Sequence, residues 1–248
     1  MTLSSRSLRA AQRLDALLTK SGLTESRQRA QALILAGKVR VAGATERRPD
    51  RFVREDEVIT VDETPGYASR GALKLGPALD TFRVDPQGRV CADLGASTGG
   101  FTDVLLRRGA AKVFALDVGR GLIHWRLRSD PRVVVIERVN ARDLASFPEP
   151  VSLVVADLSF ISLEKVLPAV RQAAPEAEVV ALFKPQFEVG KSEVGKGGIV
   201  RDPLAIEGAL TKFRTWCGGH GYVVAGEAAS ELRGAEGNQE YFFHLAPT

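Results

Sequence analysis

Acids that end apolar runs beside glycines mark where this sequence could do chemistry. RVCADLGASTGGFTDVLLRRGA spans Arg89 to Ala110. Val90 to Ala92 reads as a buried strand ending in Asp93. Gly95, Ala96, Ser97, Thr98, Gly99 and Gly100 then form a turn, and Phe101, Val104 and Leu105 recur at helical spacing. Glycines between a parallel strand and a helix let a ligand approach bare backbone beside a helix N-terminus. A carboxylate at the strand end suits a ligand with a positive amino group and disfavours a pyrophosphate, which points to S-adenosylmethionine. The dinucleotide fingerprint G-x-G-x-x-G is absent. KVFALD ends in Asp117, where an acid can hold ribose hydroxyls; this supports an adenosine ligand without choosing between cofactor classes. Asn140, after a third strand, can reach an adenine edge or cap a turn, and Asp143 carries the same alternatives.

A second set of charges sits at strand ends further on. Asp157 ends the run VSLVVAD, Lys184 follows EVVALF, and Glu240 opens EYFFHL. A charge at the end of a buried strand needs a partner, and neighbouring strands can supply each other's. Lys74 lies in SRGALKLGPAL, a helical pattern with Leu73, Leu75 and Leu79 among apolar contacts.

The elements that must position these residues form an α/β domain expected over residues 71–248. Seven candidate strands (RVCADL, KVFALD, VVVIE, VSLVVADL, EVVALF, YVVAGEA and EYFFHL) alternate with helical patterns. That alternation predicts a doubly wound, mostly parallel seven-stranded sheet of Rossmann-like type, with ligands beyond the carboxyl ends of its strands. The last strand follows a turn at Arg233 to Asn238 and is expected antiparallel. Its start then lies at the same edge as the other strands' ends, so Asp157, Lys184 and Glu240 can converge, with Lys74 directed there by its helix.

The N-terminal segment is different in charge. Residues 1–54 carry 12 Lys+Arg against 4 Asp+Glu, within a chain of net charge +4, the footprint of a polyanion partner. RLDALLTKSGL predicts a helix stopped near Gly22, and SRQRAQALILAG a second, N-capped by Ser26 and stopped at Gly37. KVRVAG and VITV read as short strands. Residues 1–62 are expected to form this small α+β domain and residues 63–70, containing Pro65 and Gly66, the linker.

Composition narrows the class. A chain of 248 residues with 44% hydrophobic content can bury a full core. No apolar run approaches the roughly 20 residues that cross a bilayer, and the N-terminus lacks an apolar signal core, so a cytoplasmic protein without membrane contact is expected. Cys91 and Cys217 do not make a disulfide framework, and His124, His220 and His244 lack metal-ligand spacing, so no metal site is expected.

RLDALL, GLTESRQRAQALILAGKVRVAG and DEVITV together resemble the S4-type RNA-binding domain over about residues 12–61. The resemblance implies that the second helix is laid on structured RNA. It makes Arg13, Ser26, Arg27, Arg29, Lys38 and Arg40 the candidate contacts, giving salt-dependent affinity with little base specificity. Ala42 stands where asparagine is common in the turn after the strand. Lys74, Asp157, Lys184 and Glu240 resemble the Lys-Asp-Lys-Glu tetrad of FtsJ-type ribose 2′-O-methyltransferases. SRGALKL, DLGASTGGFTDVLLRRGA, ADLSFISL, FKPQFEVGK, VGKGGIVRDP and GNQEYFFHL extend the likeness over nearly the whole chain to the TlyA family, which joins the two domains.

The family resemblance implies S-adenosylmethionine as cofactor, bound along Asp93 to Phe101 with Asp117 on the ribose and Asn140 or Asp157 nearby. It also implies ribosomal RNA within ribosomal subunits as partner, methylated on cytidine ribose. Methyl transfer from a sulfonium is an in-line displacement, so positioning is a large part of the work. In that scheme Lys184 is the general base or the alkoxide stabiliser, Lys74 holds the reacting ribose, Glu240 orients the lysines, and Asp157 orients Lys184. VGKGGIVRDP, from Val194 to Pro203, bears Lys196 and Arg201 and is expected either to be a mobile loop closing over RNA or to be an ordinary surface loop. Many family members were first labelled hemolysins. A membrane-lysing protein needs an amphipathic or spanning segment, and none is visible; an RNA-binding protein with an inactive enzyme fold would not need all four tetrad types.

Overall fold

The computed structural model describes residues 11–21, 23–24, 26–54, 57–61 and 66–248, and the chain divides into two compact units, 1–66 and 67–248. Gly22 and Pro65, read above as a helix stop and a linker residue, lie outside the described residues. The second unit begins at Tyr67, within the stretch read as a linker. The Ala68 N–H donates to the buried Asp103 carboxylate at 2.7 Å, and the Arg107 guanidinium lies 4.3 Å above the Tyr67 ring.

In the first unit β1 (Gln12–Arg13) leads into α1 (Leu14–Lys20), followed by α2 (Arg27–Leu35), β2 (Val39–Val41), β3 (Ala44–Glu46), β4 (Phe52–Val53) and β5 (Ile59–Val61). Leu14, Leu17 and Leu18 of α1 and Ala30, Leu33 and Ile34 of α2 pack on Val39, Val41 and Val53 as one small core. The Ser26 side chain accepts from the Arg29 N–H and caps α2. The antiparallel order is β3-β2-β5. The β2–β3 hairpin turns on Ala42 and Gly43, both at positive φ (49° and 82°), as a two-residue turn matched to strand twist requires.

The second unit runs α3 (Ala72–Phe82), β6 (Val90–Leu94), α4 (Gly100–Arg107), β7 (Lys112–Asp117), α5 (Trp125–Arg128), β8 (Val133–Glu137), β9 (Leu153–Ala156), α6 (Leu167–Ala173), β10 (Glu178–Phe183), α7 (Pro185–Glu188), α8 (Pro203–Gly219), β11 (Tyr222–Ala229) and β12 (Tyr241–Pro247). The sheet order is β11-β12-β10-β9-β6-β7-β8, with β12 antiparallel to both neighbours. Each expected strand is present, and β12 does more than close a hairpin, because it inserts between β10 and β11.

Alternation along the strands builds a core on each face. Cys91, Val113, Val155, Val180 and Leu182 meet Leu75 and Leu79 of α3 and Val104 and Leu105 of α4. Leu94, Phe114, Val154, Ala181 and Phe183 meet Val170 of α6 and Leu210 and Phe213 of α8. Phe213 packs edge-on to Phe243 at 4.8 Å and tilted on Phe183 at 5.3 Å. Full burial of each such ring contributes roughly 1.5–3 kcal/mol. Leu73, expected among these contacts, is instead 40% exposed; Leu75 and Leu79, with Ala72 and Ala78, anchor that face of α3.

Candidate active site

Strand register gathers the charged quartet. The last pair of the β10–β12 ladder is Phe183 with Tyr241, so Lys184 and Glu240 leave the sheet opposite each other. In β9, Ala156 pairs with both Leu94 and Ala181, which delivers Asp157 to the same edge. Lys184 Nζ lies 2.6 Å from Asp157 Oδ1, an ion pair off the hydrogen-bond line, and donates to Ser159 Oγ at 3.1 Å. Lys74 Nζ donates to Glu240 Oε2 at 2.5 Å. Glu240 is 2% and Lys184 8% exposed, so each ammonium is held in a fixed place by a carboxylate with little room to leave it.

A cavity of about 240 Å³ joins Lys74 and Asp157 to the glycine turn, with Lys184 and Glu240 behind them as their ion-pair partners. It is lined by Lys74, Asp157, Asp93, Gly95, Ala96, Ser97, Thr98, Gly100 and Phe101. Asp93 is fully buried. Its Oδ2 accepts from the Thr102 N–H at 2.8 Å and the Thr102 hydroxyl at 2.7 Å, whereas Oδ1 has no partner. Burial pushes the carboxyl up to about 7 against the pull of Thr102, with Asp157 and Asp117 adding like-charge repulsion. A buried carboxylate oxygen without a partner, on a residue that lines the cavity, can take a cationic donor. In a smaller adjoining cleft, Asp117 stands among Ala96, Ser97, Gly119, Leu122, Ile123, Val135 and Glu137. Its carboxylate is fixed by the N–H groups of Ser97 at 2.8 Å and Gly119 at 2.7 Å.

Gly95 and Gly100 line the cavity, and the turn glycines also let neighbouring elements approach closely. A Cβ on Gly95, at φ 82°, would fall 2.5 Å from the Asp157 carbonyl oxygen; one on Gly99 would strike Leu127, and one on Gly100 would strike Ser69. These residues bring β9, α5 and the start of α3 close, and Gly99 lines neither cleft. Asn140 and Asp143 also line neither cleft. Asn140 Oδ1 accepts from the Arg142 N–H at 3.2 Å, capping a single helical turn, and the exposed Asp143 pairs with Arg142.

Several cavity residues carried no signal in the pattern. Ser69 and Arg70 precede α3, and Leu232, Arg233 and Ala235 come from the β11–β12 connection. Phe160 is 90% exposed at φ 65°, packs 5.3 Å from Phe187, and follows the serine that binds Lys184. Arg70 could have been flagged by its place four residues before Lys74. Phe160 could have been flagged as an aromatic beside a strand-end acid.

In the first unit, Arg13 and Arg27 are both engaged by the buried Asp15. Arg13 donates through Nε and Nη2, Arg27 through Nε, and Gln31 adds a bond at 2.8 Å. These donors hold the Asp15 carboxyl well below the usual range. Arg13 and Arg27 therefore brace the α1–α2 pair, and only the remainder of each guanidinium faces outward. Ser26 is occupied as the cap, Lys38 is half-buried, and Arg29 and Arg40 lie on the helix and strand as expected. Lys196 and Arg201 are exposed, on a loop tied down by Asn238 rather than free. Among the described residues, no group of three His, Cys, Asp or Glu could hold a metal ion, and no helix is long and apolar enough to cross a membrane.

Residues 67–246 match the family described as FtsJ-like methyltransferase, and residues 12–59 match the S4 domain. The chain is 51% identical to the 16S/23S rRNA (cytidine-2'-O)-methyltransferase TlyA of Mycobacterium tuberculosis, over 94% of this chain and 89% of that one. It is 40% identical to Hemolysin A of Brachyspira hyodysenteriae, over 94% of this chain and 99% of the relative. A solved structure from Streptococcus thermophilus that carries a hemolysin label is 38% identical, with a TM-score of 0.75 over 97% of this chain and 90% of that one.

Proposed function

The chain belongs to the FtsJ-like methyltransferase family, in the TlyA group that adds an S4 domain, and from that premise we propose that it methylates the ribose 2′-hydroxyl of cytidine in ribosomal RNA, using S-adenosylmethionine. The observation that carries the reading is the pair of ion pairs, Lys184–Asp157 and Lys74–Glu240, beside the cavity that also holds the open oxygen of Asp93.

The residues present fit the cofactor. Asp93 Oδ1 offers a buried acceptor to its ammonium, Asp117 offers a fixed carboxylate to its ribose hydroxyls, and Leu122, Ile123 and Val135 line the small cleft beside Asp117. When bound, S-adenosylmethionine supplies an electrophilic methyl group on a sulfonium. Lys74, held by Glu240, orients the acceptor ribose. Lys184 Nζ, held by Asp157 and Ser159, would act as the neutral amine, after giving one proton to solvent, to accept the hydroxyl proton of the acceptor ribose. Arg70 and Arg233 on the cavity rim bind flanking phosphates, and Phe160 offers an exposed ring on which an unpaired base stacks. Ribosomal RNA within ribosomal subunits as substrate makes the cytoplasm the site of action.

The test is incubation of the protein with methyl-labelled cofactor and each purified ribosomal subunit, followed by mapping of the modified nucleotide. Label on a cytidine ribose is expected. Label on a base, or on neither subunit, would reject the reading. Lys184→Ala should abolish transfer while calorimetry shows cofactor affinity unchanged.

A further inference from the structure

The connection from β11 to β12 is bonded to itself. Gly234 donates its N–H to the Asn238 carbonyl and Gly237 to the Gly234 carbonyl, both at 2.9 Å, and the Ser230 hydroxyl donates to the Leu232 carbonyl at 2.8 Å. A Cβ on Gly234 would come within 2.6 Å of Glu240 Oε1, so this backbone lies directly against the carboxylate that holds Lys74. Arg233 and Ala235 reach the cavity wall from the same turn.

Asn238 is 2% exposed, and its side-chain amide bonds outside its own loop. Oδ1 accepts from the Val200 N–H at 2.9 Å, and Nδ2 donates to the Gly198 carbonyl at 2.8 Å. Both partners belong to VGKGGIVRDP, which turns back on itself. There the Gly195 N–H donates to the Ile199 carbonyl at 3.0 Å, with Gly197 and Gly198 at φ 78° and 75°. That turn carries the exposed Lys196, and Arg201 folds back to within 3.2 Å of where a Gly195 Cβ would stand. One amide thus joins two loops that are each internally fixed. Removing it would leave a buried donor, the Val200 N–H, and a half-buried acceptor, the Gly198 carbonyl, unpaired.

We propose that Asn238 is a positioning residue for the RNA acceptor, an inference that rests on the reading of the chain as a ribose methyltransferase. By fastening the Lys196–Arg201 turn to the loop that backs Glu240, it holds RNA phosphates bound by those cations in fixed register with the quartet. Asn238 touches neither cofactor nor the reacting atoms; its effect is exerted through Lys196 and Arg201 on one side and Glu240 on the other.

The experiment is a double-mutant cycle in the full chain, with kcat and KM for ribosomal RNA measured separately and cofactor affinity by calorimetry. N238A should raise KM for RNA about tenfold with cofactor affinity within about twofold of wild type, and K196A alone should raise it about fivefold. N238A/K196A should be no worse than N238A within about twofold. N238S, which keeps a small neutral polar group in place of the amide, should fall between wild type and N238A, and it carries the same cycle if N238A does not fold. Hydrogen exchange of the Val200 amide should quicken in N238A while β12 stays protected. Independent, multiplying effects of K196A and N238A, a parallel loss of cofactor affinity, or an unchanged Val200 amide would each overturn the proposal. Absence of methyl transfer by the wild-type protein would instead overturn the functional reading, and the exchange measurement separates the two.

Discussion

Asp93 makes the site sensitive to pH. Folded, its carboxyl keeps a proton up to about pH 7; unfolded, it releases the proton near about pH 3.9. Between those values the folded chain binds more protons, so stability falls as pH rises through the window, and the loss is complete above about 7. Cofactor binding runs the other way, since the ammonium needs the charged form: affinity should drop about tenfold per pH unit below 7 and level off above it. D93N is therefore expected to raise the melting temperature at pH 8 while removing cofactor binding, measured by thermal denaturation and calorimetry. K184R is expected to be as inactive as K184A in the methyl-transfer assay, because a guanidinium keeps its charge but cannot accept a proton. The strand-end acids were legible because a charge after an apolar run stands out. That Arg13 and Arg27 also brace the helices was hidden, because Asp15 shares no local pattern with Arg27, twelve residues away. Arg233 was invisible because only the β11–β12 connection brings it to the cavity.

At the scale of elements, glycines and turns decide how closely strands approach. Gly95→Ala should lower kcat at least tenfold, since its Cβ would displace the Asp157 backbone; single-turnover kinetics with saturating cofactor would show this. Ala42 holds a left-handed conformation at φ 49° that a Cβ disfavours. Ala42→Asn is expected to stabilise the first unit by about 0.5–1 kcal/mol, read as a shift of its unfolding midpoint in urea. The sheet strands could be read because each is four to eight residues long and mostly apolar, with its charges near the ends. The two-residue β1 and β4 could not, as Gln12 pairs with Val53 across the whole unit. The function of Gly99 and Gly100 was likewise hidden, because their neighbours Leu127 and Ser69 come from other elements.

Across the whole molecule, each unit has its own apolar core, and every cavity-lining residue belongs to residues 67–248. That fragment alone should bind cofactor with the affinity of the full chain but hold ribosomal RNA more weakly. The slope of log K against log salt should fall by about 0.7–0.9 for each phosphate that the first unit engages in the full chain. The division into a basic leading segment and an α/β remainder was readable from charge and periodicity, while the place of β12 was not. Sequence order implied only that the last strand is antiparallel, whereas the structure sets β12 between β10 and β11. That insertion has a bearing on biosynthesis. A chain still being translated can assemble β6 to β10 and the cofactor cradle early, yet Lys74 lacks its carboxylate until β12 has emerged and slotted home. Catalytic competence therefore arrives with the last strand, and E240Q, which keeps β12 and its core side chains, should yield a protein that binds the cofactor without transferring its methyl group.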